Sequence, residues 1–269
     1  MSAVQDTRGI LNPYEGFRRF VLDRREPSAD LAPWVDRYWT VTWQLQPGEQ
    51  FDQEVLPHPS VQLAFEAHCA TVHGIGTRRF VARLEGSGRA IGVKFLPGAF
   101  AAFSARPMGD LVDRVLPLAD VFGDPARAST ERVAAEPDVS LAIGHIEGLL
   151  RGLSPQRDES AELVARLVAF ARGEPHITRS EALARHAGVS QRSLQRLFER
   201  YLGLGPKWII RRARVQEAAD RVAAGQSVDW ASLAVELGYH DQAHLIHEFK
   251  AQVGFTPAAY AARCAAAAR

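Results

Sequence analysis

The sequence predicts an α+β protein of two domains: a β-rich barrel or sandwich with flanking helices in the N-terminal half, and an all-helical C-terminal half. Two observations support this prediction. Between about residues 34 and 95, four short runs of strand-forming residues are separated by glycine-rich turns. In the last third of the chain, one helix-turn-helix pattern occurs twice. With 269 residues, of which 46% are hydrophobic, the chain has enough apolar surface for a core in each half.

The repeat is defined by apolar residues and glycines that keep their spacing. The first helix of the pattern recurs 50 positions later and the second helix 51 positions later. The one-residue difference falls in the turn, where a change of length is tolerated. A duplicated helix-turn-helix places two recognition helices in successive major grooves, so the repeat predicts sequence-specific DNA binding. The matched pairs are Leu183 and Leu233, Ala184 and Ala234, Gly188 and Gly238, Leu194 and Leu245, Phe198 and Phe249, and Pro206 and Pro257.

The first copy has local signals for both of its helices. Residues 178–181, Thr-Arg-Ser-Glu, predict a capping box, and Gly188 predicts the end of that helix. Ser190 caps the next helix, whose apolar residues follow the i, i+3, i+4, i+7 spacing from Leu194. The opposite face is either a solvated surface or a DNA-reading surface, and the repeat favours the second interpretation. The predicted DNA-contacting residues are Arg192, Gln195, Arg196 and Arg200.

The second copy repeats this arrangement. Residues 229–237 predict its supporting helix, and Asp241 predicts the cap of its second helix. An outward Ile246 suits contact with a thymine methyl group. The residues predicted to face outward toward DNA are Gln242, Ala243, Ile246, His247 and Lys250.

One long helix is predicted between the two copies, over residues 207–224, and Gly225 closes it. Ile209, Ala213 and Ala219 are predicted to pack inward. Positive side chains on this helix suit contact with DNA phosphates. They are Arg211, Arg212 and Arg214.

A dense motif covers the second copy and the turn after it. The motif reads Leu237-Gly238-Tyr239-x-Asp241-x-Ala243-His244-Leu245-x-x-x-Phe249-Lys250-x-x-x-Gly254-x-Thr256-Pro257-x-x-Tyr260. With this motif, residues 172–263 resemble the AraC/XylS family of transcription regulators. The resemblance implies an all-helical DNA-binding domain in which a linker helix joins two helix-turn-helix units. It places the base-reading positions at Arg192, Gln195, Arg196, Gln242, Ala243, Ile246 and His247.

Two positions depart from the family pattern. Many members have Arg where His247 stands, and some have Phe where Leu245 stands. Leu conserves the core volume at position 245. An arginine fork makes paired contacts with guanine, whereas an imidazole makes at most a single directed contact at neutral pH. We therefore expect the first recognition helix to carry more of the specific affinity.

The N-terminal half divides into a strand-rich part and a helical part. Strands are predicted at residues 38–43, 60–65, 80–84 and 90–95, and helices at 126–135, 139–150 and 159–171. Residues 154–159 form the best linker candidate. The predicted domains are an N-terminal sensory or dimerisation domain over 1–155, a linker helix over 156–171 and a DNA-binding domain over 172–269.

Three stretches of the N-terminal half resemble the sensory domain of a subset of AraC-like regulators. They are Arg37-Tyr38-Trp39, Leu56-Pro57-His58-Pro59 and Gly92-Val93-Lys94-Phe95-Leu96-Pro97-Gly98-Ala99-Phe100. The resemblance implies a cupin-like β fold that binds a small effector or mediates dimerisation. Aromatic residues here either line a pocket or pack a core; they include Trp34, Tyr38, Phe100 and Phe103. The predicted effector-binding residues are Arg37, Trp39, Trp43, Phe65 and Phe95, of which the first three share a face if the strand alternates.

Charge differs between the two halves. Residues 172–269 contain 14 Lys and Arg against 9 Asp and Glu, whereas the rest of the chain contains 18 against 22. Binding to DNA is driven by the release of counterions when Lys and Arg neutralise phosphates, so it is expected of the basic half. The acidic half is a poor DNA binder and requires another role.

Other chemistry is not favoured. Cys69 and Cys264 form no Cys-x-x-Cys pair, so we expect free thiols and no zinc. His58 and His73 lack a His-x-His partner, so no metal or cofactor is predicted. An enzyme fused to a DNA-binding module would need a cysteine nucleophile on a glycine-flanked elbow or a four-cysteine zinc site, so no catalytic residue is predicted. The chain has no apolar run long enough to cross a membrane and no signal-peptide pattern, so we expect a cytoplasmic protein.

The leading hypothesis is a transcription regulator that binds double-stranded DNA as a monomer or homodimer and is controlled by a small-molecule effector. RNA polymerase is a further candidate partner. The alternative is a constitutive regulator whose N-terminal domain only dimerises. A partly polar pocket would favour sensing, and a filled barrel would favour dimerisation alone.

Overall fold

A computed structural model describes residues 9–67, 69–174, 176–226 and 228–267. Within these ranges, eight strands lie between residues 20 and 117, and the regular structure after residue 117 is helical. The predicted fold class is therefore confirmed. Each helix in the described ranges is too short or too polar to span a bilayer.

The strands form an antiparallel six-stranded sheet in the order β1-β2-β7-β4-β5-β8 and a two-stranded sheet of β3 and β6. Because β1 and β8 are edge strands, the larger sheet is open, and the arrangement is a sandwich rather than a closed barrel. The strands are β1 (Phe20–Arg25), β2 (Val35–Gln44), β3 (Gln50–Val55), β4 (Gln62–Phe65), β5 (Ala70–His73), β6 (Phe80–Glu85), β7 (Ser87–Phe95) and β8 (Val115–Pro117).

The two faces of the larger sheet bury different side chains. One face packs against helices through Tyr38, Leu63 and Val93, which are fully buried. The other face packs against the smaller sheet. There the indole of Trp39 covers Gly92, and a Cβ at that glycine would lie 1.9 Å from the ring. Trp39 and Gly92 are cross-strand partners on β2 and β7, and only glycine leaves room there for the indole.

In the described ranges, one short helix precedes β1, and the regular structure after β8 consists of helices. The helices are α1 (Pro13–Gly16), α2 (Leu118–Phe122), α3 (Asp124–Ala135), α4 (Val139–Gly152), α5 (Glu159–Gly173), α6 (Ser180–Ala187), α7 (Gln191–Leu202), α8 (Pro206–Ala223), α9 (Trp230–Glu236), α10 (Gln242–Val253) and α11 (Pro257–Ala267). Two short 3₁₀ turns, Ala99–Ala102 and Met108–Leu111, follow β7.

The caps predicted for α7 and α10 are present, and α9 has a side-chain cap as well. Side chains of Ser190, Asp229 and Asp241 accept hydrogen bonds from backbone N–H groups at the starts of α7, α9 and α10. The predicted capping box at residues 178–181 is wrong, because α6 has Arg179 at its N-cap and no side-chain cap. The carbonyl of Thr178 accepts a hydrogen bond from Arg214 of α8.

Buried apolar side chains form three clusters, and two of them cross the predicted domain boundary. The first runs from Leu31 to Ile210 and joins the sheet, α2–α5 and the first helix-turn-helix unit. The second contains the second unit together with Leu11 and Leu56 of the N-terminal half. The third lies between the two sheets. Both helix-turn-helix units therefore share a core with the N-terminal half.

Candidate nucleic-acid interface

The recognition helix of the first unit, α7, has sharply divided faces. Leu194 and Phe198 are fully buried in the core. Its exposed polar residues include the four predicted from the sequence: Arg192, Gln195, Arg196 and Arg200. Gln195 donates a hydrogen bond to the carboxylate of Glu199 at 2.7 Å (Nε2–Oε1). Arg192 and Arg196 make no hydrogen bond or ion pair with another residue in the described ranges, so both guanidinium groups are exposed to solvent.

The recognition helix of the second unit, α10, repeats this division. Leu245 and Phe249 are fully buried. Gln242, Ala243, His247 and Lys250 are exposed, and Ile246 is half-buried. Apart from Ile246, the structure thus exposes the side chains on the face that the sequence predicts.

The linker helix α8 exposes Arg211 and buries Arg212. Arg211 lies 3.7 Å (Nη1–Oε2) from Glu248 of α10. Arg212 is only 3% exposed, and its Nη2 donates hydrogen bonds to the carbonyl oxygens of Gly76 and Thr77 at 3.1 and 3.0 Å. Burial lowers the pKa of Arg212 to about 10. The structure does not present Arg212 for the phosphate contact that the sequence predicts.

Arg214 is also buried, in contrast to the same prediction. Its guanidinium donates to the carbonyl of Thr178 and lies over the ring of Tyr239. Arg214 therefore ties α8 to the residues before α6 and to the turn before α10. Of the three arginines predicted to contact phosphate, only Arg211 is on the surface.

Residues 74–79 and 107–114 of the N-terminal half form two linked loops, which we call the docking loops. The carboxylate of Asp113 accepts hydrogen bonds from the N–H and the hydroxyl of Thr77, both at 2.6 Å. The N–H of Gly74 donates to the carbonyl of Arg114 at 2.9 Å. These bonds join the docking loops into one structural unit. Two backbone carbonyls of this unit also accept the hydrogen bonds from Arg212.

The docking loops contact both recognition helices at equivalent positions. Gly203 and Gly254 end α7 and α10 in the left-handed conformation, with φ of 72° and 87°. Gly203 lies against the backbone of Gly109, and Gly254 lies against the side chain of Arg79. The docking loops thus hold the C-terminal ends of both helices, while the N-terminal ends remain exposed.

A cluster of charged and aromatic side chains adds to the contact with the second unit. Glu54 pairs with Arg79 and, at 2.8 Å (Oε2–Nη1), with Arg263 of α11. The two guanidinium carbons lie 5.0 and 4.2 Å from the ring centroid of Phe255. The cluster therefore combines ion pairs with cation–π contacts across the boundary between the two halves.

The structure separates the five predicted effector-binding residues. Trp39 and Trp43 lie on the face of the larger sheet that meets the smaller sheet. Strand alternation places Arg37 on that face too, where its Nε lies 2.9 Å from Asp36 Oδ2. Phe65 and Phe95 are fully buried on the opposite face, in the core with the helices. The five residues therefore do not line one pocket.

The residues considered for metal or redox chemistry are not grouped. In the described ranges, no set of three His, Cys, Asp or Glu side chains is arranged to hold a metal. Cys69 is an exposed thiol and Cys264 a buried one. His73 Nε2 lies 2.9 Å from Thr71 Oγ1, and burial lowers the pKa of this histidine.

Two family models match the chain. Residues 183–263 match a model described as a helix-turn-helix domain. The C-terminal half contains an AraC-type DNA-binding domain. Residues 23–117 match a domain of unknown function, DUF6597. This range contains both sheets except for the first three residues of β1. The helix-turn-helix match supports a role for the chain in DNA binding and transcription regulation.

Similar solved structures include regulators from three bacteria. An AraC-type transcriptional regulator from Chromobacterium violaceum is 22% identical, with 40% of this chain and 96% of that chain covered and a TM-score of 0.37. The C-terminal domain of AraT, a response regulator from Geobacillus stearothermophilus, is 23% identical over 37% of this chain and 84% of that chain, with a TM-score of 0.33. ToxT from Vibrio cholerae is 10% identical over 91% and 98%, with a TM-score of 0.42.

Sequence reasoning missed the docking loops and the burial of Arg212. No local pattern marks the docking loops, because their partners lie more than 90 residues away along the chain. For Arg212 a signal was present. It lies three residues after Ile209 and seven before Ala219, on the helical face predicted to pack inward.

Proposed function

We propose that the AraC-type domain binds an asymmetric duplex site through two adjacent major grooves. The observation that supports this proposal is that α7 and α10 both expose their N-terminal polar residues, while the docking loops contact their C-terminal ends. N-terminal residues of a recognition helix are the ones that reach base edges. The proposed base-reading residues are Arg192, Gln195, Arg196, Gln242, Ala243, Ile246 and His247, with Arg200, Arg211 and Lys250 on phosphates.

Hydroxyl-radical footprinting on a selected site tests this proposal. We expect two protected segments on one face of the duplex, separated by about one helical turn, ~34 Å. Because the side chains of α7 differ from those of α10, the two half-sites should have different sequences. Protection confined to one groove, or a palindromic site bound by one chain, would contradict the proposal.

The neighbouring arginines of α8 provide a matched test of phosphate contact. Replacing the exposed Arg211 by Ala should reduce the slope of log K against log salt by about 1, because one phosphate contact is lost. Arg212→Met should leave the slope unchanged, because this side chain is buried against Gly76 and Thr77. The measurement is a DNA titration by fluorescence anisotropy at several salt concentrations. Equal slopes for the wild type and Arg211→Ala would remove Arg211 from the interface.

We further propose that the N-terminal half controls DNA affinity in response to a small effector. The support is the shared core: a ligand that shifts the N-terminal half also shifts elements packed on both recognition helices. A thermal-shift screen tests this, since a ligand of the native state raises the melting temperature by mass action. The alternative, a constitutive regulator whose N-terminal half only dimerises, predicts no such ligand and a dimer in sedimentation measurements.

A further inference from the structure

A cleft of about 240 Å³ lies between the N-terminal half and the first turns of α5. Its wall is mainly apolar, with Trp34 and Leu96 on one side and Ala161 and Ala165 of α5 on the other. The indole of Trp34 is held in place by an edge-to-face contact with Phe103, at 6.2 Å between ring centroids. The cleft therefore offers a fixed aromatic surface beside small aliphatic side chains.

The charged groups at the rim balance one another. Arg157 and Glu162 form an ion pair at 2.6 Å (Nη2–Oε1). Asp158 accepts hydrogen bonds from the N–H of Ser160 at 2.8 Å and from the hydroxyl of Tyr201. With Arg166, the rim contains two guanidiniums and two carboxylates. This balance favours neither an anionic nor a cationic ligand.

We infer that this cleft binds a small uncharged aromatic molecule, which stacks on Trp34 between the N-terminal half and α5. The inference rests on the proposed effector control and names the site and the ligand class. It places the effector outside the sheet residues that the sequence analysis selected. A mainly apolar wall with polar groups at its rim is a common composition of a small-molecule site.

The cleft is connected to the first recognition helix through Asp158. This residue caps α5 and accepts the hydroxyl of Tyr201, which lies in the last turn of α7. The bond from Tyr201 lowers the pKa of Asp158, so the carboxylate is ionised at neutral pH. A ligand that moves the start of α5 therefore moves an anchor of α7, the helix that carries Arg192 and Arg196.

A pair of fluorescent probes tests the ligand class on the full chain. N-phenyl-1-naphthylamine is uncharged, and 1-anilinonaphthalene-8-sulfonate has the same rings with a sulfonate. We expect saturable binding of the uncharged probe, with energy transfer from tryptophan, and at least about tenfold weaker binding of the sulfonate, or about 1.4 kcal/mol. Stronger binding of the sulfonate, or no saturable binding of the uncharged probe, would overturn the inference.

Two alanines of α5 locate the binding. Ala165 lines the cleft, whereas Ala169, one turn further along, is exposed outside it. Ala165→Phe should fill the cleft and raise the Kd of the uncharged probe at least about tenfold, and Ala169→Phe should leave it unchanged. Equal effects of the two substitutions would overturn the assignment of the site. Circular dichroism of each variant confirms that it is folded.

The connection to α7 is tested by removing one hydroxyl. In the wild type we expect the bound probe to change the affinity for DNA. In Tyr201→Phe the probe should bind as in the wild type, but the affinity for DNA should no longer change. Tyr14→Phe, at an exposed position in α1, is the control and should keep that effect. A probe effect on DNA that survives in Tyr201→Phe would overturn the connection. Probe binding is measured without DNA, so a failure of the proposed DNA-binding function is distinguishable from a failure of the site.

Discussion

Replacing Gly74 by Ala is expected to lower the free energy of unfolding by about 3 kcal/mol. A Cβ at this position would lie 1.6 Å from the carbonyl oxygen of Leu111 and 2.5 Å from its carbonyl carbon. Both are backbone atoms, so a side-chain rotation does not relieve the overlap, and the docking loops must separate. For a chain of this size the melting temperature should fall by roughly 6–12 °C. Thermal unfolding followed by circular dichroism measures the change.

Gly144→Ala is the matched control for this substitution. Gly144 is exposed in the interior of α4, and within the described ranges an added Cβ would meet no atom closer than 4 Å beyond its own helix and chain neighbours. Alanine should stabilise this helix by up to about 1 kcal/mol, because it restricts the unfolded chain and favours helix. If Gly74→Ala melts at or above the wild-type temperature, the described pairing of the docking loops is not needed for stability.

Arg196→Ala is expected to weaken binding of the selected site by ~1–3 kcal/mol and to relax sequence preference in its half-site. Arg196 is exposed on α7 and makes no hydrogen bond or ion pair within the described ranges, so its planar fork is available to a guanine. His247 is its counterpart on α10, 51 positions later. His247→Ala should cost less at pH 7.5, because an imidazole makes at most one directed contact. Anisotropy titrations with the selected site and with single-base variants measure both effects.

Arg132→Ala is the control for the loss of a positive charge. Arg132 is exposed on α3 in the N-terminal half, away from both recognition helices. Its replacement should leave DNA affinity and specificity unchanged. A loss from His247→Ala that equals or exceeds the loss from Arg196→Ala would reverse the assigned roles of the two helices.

Local sequence determined the helices of the DNA-binding half and the division of their faces. Ser190 and Asp241 cap their helices as predicted, since a cap needs only the N–H groups two or three residues ahead. Leu194 and Leu245 are buried as their spacing predicted, since helical periodicity reports which side of a helix is covered. The same spacing exposes Arg196 and His247. These signals lie within one or two helical turns, so one sequence is sufficient to read them.

Tertiary structure decided what covers each buried face. Arg212 is buried by carbonyls of residues 76 and 77, and Leu56 joins the core of the second helix-turn-helix unit. Strand alternation placed Arg37 and Trp39 together, but the pairing register of β4 with β7 put Phe65 on the face toward the helices. Periodicity predicts that a face is buried, but it does not specify which element packs against that face. Contacts between residues far apart in sequence depend on how the whole chain packs, and only the folded structure specifies them.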